Sequence, residues 1–119
     1  MRAAILGAPE SAVRAIESEF GNTPLAFDSK LSRKSYDYIH LFTKSRVELT
    51  REFPSLKNHL DADGMLWISW PKKASKIETD LDENIVREIG LKAGLVDVKV
   101  CAVDEIWSGL KLTPRKSVG

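Results

Sequence analysis

The last quarter of the chain holds two apolar runs, Leu95 to Val103 and Ile106 to about Thr113, with only Asp104-Glu105 between them. A link that short joins antiparallel neighbours, because parallel neighbours need a crossover of roughly a dozen residues or more. The chain before it has the opposite character. Short strand-like runs switch repeatedly to helical spacing, which is the pattern of α/β units around a mainly parallel sheet. The chain therefore reads as one sheet, parallel over most of its width and ending in an antiparallel hairpin.

The units follow one another closely. Ala3 to Leu6 reads as a buried strand ended by Gly7-Ala8-Pro9, and Ala12, Val13, Ile16 and Phe20 share one face of a helix that Gly21 stops. Thr23 to Phe27 is an expected second strand closed by Asp28, and Tyr36 to Phe42 a third. Ser45 with Glu48 forms a capping box for a helix carrying Leu49, Phe53, Leu56 and Leu60, which Pro54 is expected to kink or split. Asp61 to Gly64 is an expected tight turn into Met65 to Trp70, a strand apolar on both faces except at Ser69. Pro71 to Glu78 is an expected loop, after which Asp80 and Glu83 cap a helix carrying Leu81, Ile85, Val86 and Ile89. Residues 1–119 make one domain, with a tail from about Pro114 that is expected to fray.

Composition excludes several classes. Eighteen basic against 17 acidic residues leave a formal charge of +1, so a nucleic-acid or membrane partner would need a local patch. The basic clusters Lys30, Arg33, Lys34 and Lys72, Lys73, Lys76 lie close to acids and carry no interleaved aromatics, which disfavours nucleic acid. A lone Cys101 with no closely spaced histidine argues for a reducing compartment and no metal. No stretch reaches the roughly 20 apolar residues that span a bilayer, and the start is too short for a signal peptide of about 7–15 apolar residues. The expected location is cytoplasmic.

The turn DADG leading into a strand, and GLVDV leading into the hairpin, resemble the C-terminal half of the S-adenosylmethionine-dependent methyltransferase fold. HLFTKSRVEL, LWISWPKKAS, TDLDENIVREIGL and GLVDVKVCAVDEIWSGLKL together resemble a bacterial family of small, uncharacterised proteins, a match running from about Tyr36 to Arg115. With the right-handed crossover rule, the resemblance implies a three-layer Rossmann-like α/β sandwich. Its mostly parallel six-stranded sheet has the order 2-1-3-4-6-5, with an antiparallel C-terminal hairpin. It implies no agreed activity.

Ligands of open α/β sheets bind outside the carboxyl ends of the parallel strands. There the sequence places Gly7, Asp28, Thr43-Lys44-Ser45 and Pro71 to Ser75, with Asp104 to Ser108 beside them. Lys44, Ser45, Lys72, Lys73 and Ser75 suit a phosphate or carboxylate at a helix N-terminus, with a solvated lysine loop as the bland alternative. Trp70 and Trp107, with Ser108 after the latter, are candidates for stacking a planar ligand, whereas mid-strand Trp67 reads as core. Gly7 and Asp28, 21 residues apart, have the spacing of a turn and an acid that hold a nucleoside, though the turn has one glycine and Pro9 removes a donor. His40 shares a strand face with Tyr36, Tyr38 and Phe42 and reads as a hydrogen-bonded core residue, while His59 is expected to be exposed. Asp97 and Lys99 are expected to pair on one face of the hairpin, with Cys101 a packing residue.

Three functions remain open on these grounds. The first is a small-ligand or anion-binding domain without catalysis; the second is a protein-interaction module, self-association included; the third is an S-adenosylmethionine-dependent methyltransferase relative. The balance leans away from an enzyme, with no metal, and leaves the ligand open.

Overall fold

The computed structural model describes residues 1–21 and 26–115. Its elements are β1 (Ala3–Leu6), α1 (Glu10–Glu19), β2 (Tyr36–Phe42), α2 (Arg46–Asn58), β3 (Leu60–Pro71), a 3-10 turn (Lys73–Ser75), α3 (Glu83–Lys92), β4 (Leu95–Ala102) and β5 (Trp107–Pro114). They form one five-stranded sheet in the order β1-β2-β3-β5-β4. β1–β2 and β2–β3 are parallel, while β3–β5 and β4–β5 are antiparallel. The sheet is thus mixed in equal parts rather than mostly parallel, and among the described residues it has five strands rather than six.

The missing strand was expected at Thr23 to Phe27, of which Thr23, Pro24 and Leu25 lie outside the described residues. What is described there is an isolated parallel bridge between Asp28 and Ala4. The Ile5 N–H donates to the Asp28 carbonyl and the Asp28 N–H to the Ala3 carbonyl, both at 2.9 Å. Backbone therefore meets the outer edge of β1 on the expected side, for one residue. With that strand removed from the expected order, the remaining neighbours agree with those observed.

Three layers result. On one face α2 and α3 press Leu49, Phe53, Leu56 and Val86 onto Ile39, Leu41, Leu66, Ile68, Leu110 and Leu112. On the other, α1 packs Ala12 and Ile16 onto Ala3, Ile5, Tyr38 and Phe42. The second layer is thin for a geometric reason. A helix is about 10 Å across and strands lie about 4.8 Å apart, so one helix covers roughly two strands. Met65, Trp67 and Trp107 on the far strands stay only partly buried.

Several local expectations are corrected. Asp61 to Gly64 is no turn before the strand: Leu60 already pairs with Tyr36, the next pair is Tyr38 with Met65, and the four residues bulge out between them. Gly64 is required at the bulge, since a Cβ there would sit 2.9 Å from the Tyr36 carbonyl oxygen. The irregularity also separates Tyr36, which packs in the cluster under α2, from Tyr38, which packs under α1. α2 runs through Pro54 unbroken, because Phe53 and Leu56 on either side are anchored in the core at 3% and 0% exposure. The cap of α3 is Asp82, whose carboxylate accepts from the Ile85 N–H at 2.8 Å, and not Asp80.

Candidate functional site

The carboxyl ends of β1 and β2 open onto a concavity of about 500 Å³ beside α2. Leu6, Leu31, Leu41 and Phe42 supply its apolar surface, and Lys30 with Glu48, Arg51 and Glu52 of α2 a charged rim. Gly7 stands at the end of β1 with φ of +72°, and a Cβ there would lie 2.8 Å from the Phe42 carbonyl oxygen. Both the dihedral and the contact demand glycine, so the chain turns from β1 toward α1 pressed against the end of β2.

Asp28, expected to reach a ribose, is half-buried and closes its own loop. Its Oδ2 accepts from the Tyr36 hydroxyl at 2.6 Å, Arg33 Nε at 3.1 Å and Ser32 Oγ at 3.2 Å. The Tyr36 hydroxyl above all, then Arg33, holds this carboxyl below the usual range against the opposing cost of burial.

The lysine cradle is not assembled. Ser45 does cap α2, accepting from the Glu48 N–H at 3.2 Å, but the Arg46 N–H that a bound anion would take goes to the Asp80 carboxylate at 2.7 Å. The positive end of the helix is already matched by the chain's own charge. Lys44 and Ser45 share a concavity of about 330 Å³ with Glu78, Thr79 and Asp80, so two carboxylates face any incoming anion. Lys72 is drawn elsewhere, its Nζ donating to the Asp104 carbonyl at 2.6 Å. Ser75 donates to the Lys72 carbonyl, and Lys73 stays exposed.

The tryptophans exchange roles. Trp70, a candidate for stacking a ligand, is 6% exposed and belongs to the core. Trp107 is half-buried, edge-on to Phe42 with centroids 5.2 Å apart, and Ser108 beside it pairs in the sheet with Trp70 and Ala102. Trp67, expected in the core, is half-exposed because no helix covers β3 on that face. Lys99 Nζ stands 5.9 Å from its ring centroid. The expected Asp97–Lys99 pair does not form, since a register shift between them sends Asp97 to Arg87 at 2.9 Å and Lys99 to Trp67. Cys101 is exposed rather than packed.

His40 is 2% exposed, its ring stacked on Phe42 with centroids 4.3 Å apart. Tyr38 Oη lies 2.6 Å from Nδ1 and Ser69 Oγ 2.6 Å from Nε2. Burial pushes the imidazole down to about 3 and the Tyr38 hydroxyl above its ordinary value. The pair is thus a neutral, closed network, as expected of a core histidine. His59 caps the end of α2 half-buried, with Nδ1 2.8 Å from the Arg33 carbonyl. Among the described residues no group of three or more His, Cys, Asp or Glu could hold a metal, and no helix is long and apolar enough to cross a membrane.

No protein-family profile matches the sequence, and no curated protein does. Solved structures do match. Magnesium protoporphyrin IX methyltransferase from Synechocystis PCC 6803, with bound SAH, superposes with a TM-score of 0.66 at 10% identity, over 97% of this chain and 74% of that one. The ribosomal protein L11 methylase of Lactobacillus delbrueckii subsp. bulgaricus gives 0.62 at 12% identity, over 97% and 70%. A SAM-dependent methyltransferase from Aquifex aeolicus gives 0.52 at 18% identity, over 93% and 68%. The chain has a methyltransferase-like Rossmann fold.

Proposed function

We propose that the domain binds S-adenosylmethionine, or the S-adenosylhomocysteine it becomes, in the concavity at the carboxyl ends of β1 and β2. The supporting observation is the Gly7 turn, where backbone rather than side chain faces an open volume at the strand ends. That is where open α/β sheets take their ligands. The volume of about 500 Å³ lies within the roughly 300–1,000 Å³ of small-molecule sites. Likeness of fold to methyltransferases, one of them bound to SAH, favours the same ligand class.

Charge separates this ligand from other nucleotides. Lys30 and Arg51 against Glu48 and Glu52 leave the rim with no surplus positive charge for the phosphates of ATP or NAD, while the carboxylates suit the sulfonium and ammonium groups of S-adenosylmethionine and a cation suits its carboxylate. The turn offers one glycine where the cofactor turn of methyltransferases has two or three, so close backbone approach rests on Gly7 alone. The assignment is of binding, and no catalytic residue is assigned.

Thermal unfolding with S-adenosylmethionine, S-adenosylhomocysteine, NAD, ATP and inorganic phosphate tests it. A ligand at about 100 times its Kd stabilises by roughly 2.7 kcal/mol, a rise of several degrees for a domain this small. We expect the rise with the two adenosyl compounds alone. No rise with either, or an equal rise with phosphate, overturns the assignment.

A further inference from the structure

On the sheet face that α1 leaves open, Trp67 of β3 pairs in register with Lys111 of β5, and Lys111 with Lys99 of β4. Two like charges directly opposite on neighbouring strands oppose the pairing of those strands. Among the described residues neither lysine has a carboxylate at ion-pair distance. Glu19 lines the opposite wall, on α1, without reaching them. The lysines therefore give the groove a net positive charge, two cations against Glu19, beside an aromatic wall.

The groove between α1 and the hairpin holds about 210 Å³. An apolar cavity of roughly 150 Å³ holds a benzene, so this space takes one ring system with a short substituent. Tyr38 and His40 on the floor are already spent on each other and on Ser69, which leaves the wall to bind through stacking. Lys99 Nζ stands over the Trp67 ring at 5.9 Å from its centroid, a weak contact that an exposed, flexible side chain gives up readily.

The geometry points to a binding site in this groove for a small planar aromatic carboxylate, its ring against Trp67 and its carboxylate between Lys99 and Lys111. The site lies across the sheet from the concavity of the adenosyl ligand and does not depend on it.

Titration of the full chain with indole-3-acetate, followed by proton–nitrogen correlation spectra, tests this directly. Neutral indole and acetate serve as the ring-only and charge-only controls. We expect saturable shifts at the Trp67 indole N–H and at the Lys99 and Lys111 amides with indole-3-acetate, binding at least about tenfold weaker for indole, and none for acetate. The double variant Lys99→Gln/Lys111→Gln should lose about tenfold or more in affinity for indole-3-acetate while holding indole as before. Absence of saturation at millimolar indole-3-acetate, shifts centred at Gly7 and Phe42 instead, or undiminished binding by the double variant overturns the proposal. The dispersion of the spectrum reports whether the variant is folded. If it is not, Lys99→Gln, at an exposed position, makes the same comparison alone.

Discussion

Acid should unfold this protein through one residue before its carboxylates begin to matter. His40 is buried, lies between Phe42 and Trp67, and has both ring nitrogens engaged, and burial holds its folded-state value down to about 3. In the unfolded chain a histidine titrates near 6.5. The folded value is the lower, so between the two the unfolded state binds a proton that the folded state refuses, and stability falls as pH falls. The slope approaches about 1.4 kcal/mol per pH unit, and integration from pH 7 to pH 4.5 gives a loss of about 2–3 kcal/mol. The carboxyls of Asp28, Asp37, Asp61 and Glu88, all lowered by hydrogen bonds and ion pairs, begin to shed their stabilisation only below about pH 5, as their unfolded forms start to take up protons. From pH 6.5 to about 5 the slope is therefore the histidine's, and at 4.5 its share still exceeds that of the carboxylates. Urea unfolding at pH 7.0, 5.5 and 4.5 measures it, with His40→Gln as the control that has no charge to gain. The variant starts less stable, having lost a packed ring, but its stability should be nearly flat across the interval. A variant that loses as much as the wild type over the same range would refute the assignment of the slope to His40.

Two further perturbations separate packing from site. Gly7→Ala forces a side chain into positive φ and onto the Phe42 carbonyl, and should cost about 1–3 kcal/mol in chemical denaturation, with Gly21→Ala, also at positive φ but with nothing within 4 Å among the described residues, costing less. Trp70→Ala should cost about 3–5 kcal/mol as a fully packed core ring, and Trp67→Ala clearly less because part of its ring already faces solvent; equal losses would place both in one core.

Strand neighbours were readable from connection length and apolar pattern. Tyr36 to Phe42 shows its bounds in its sequence, Ser45 announces α2, and the short link at Asp104-Glu105 dictates the hairpin. What periodicity does not carry is irregular register. The shift between Asp97 and Lys99 and the bulge at Asp61 to Gly64 each move side chains to the other face without disturbing the apolar pattern that suggests a strand. The candidate site was misread for a different reason. Trp67 and Trp70 both sit on β3, and which is covered depends on how many helices lie over each face, a count that local sequence does not weigh. Three helices over five strands leave a face short, and that shortage was the available signal. The lysine cradle failed through Asp80, a carboxylate 34 positions from the helix end that it occupies.

That same carboxylate ties together two parts of the chain that the sheet keeps apart. Asp80 accepts from Arg46, and the Thr79 hydroxyl donates to the Lys44 carbonyl, so the approach to α3 holds the first turn of α2. α2 and α3 are then coupled at their N-terminal ends as well as through the core below them, and opening of the segment before α3 removes the ligand-like charge from the start of its neighbour. The two helices thus share ties at their starts as well as in the core, whereas α1, on the opposite face, is held through Ala12 and Ile16 against the sheet.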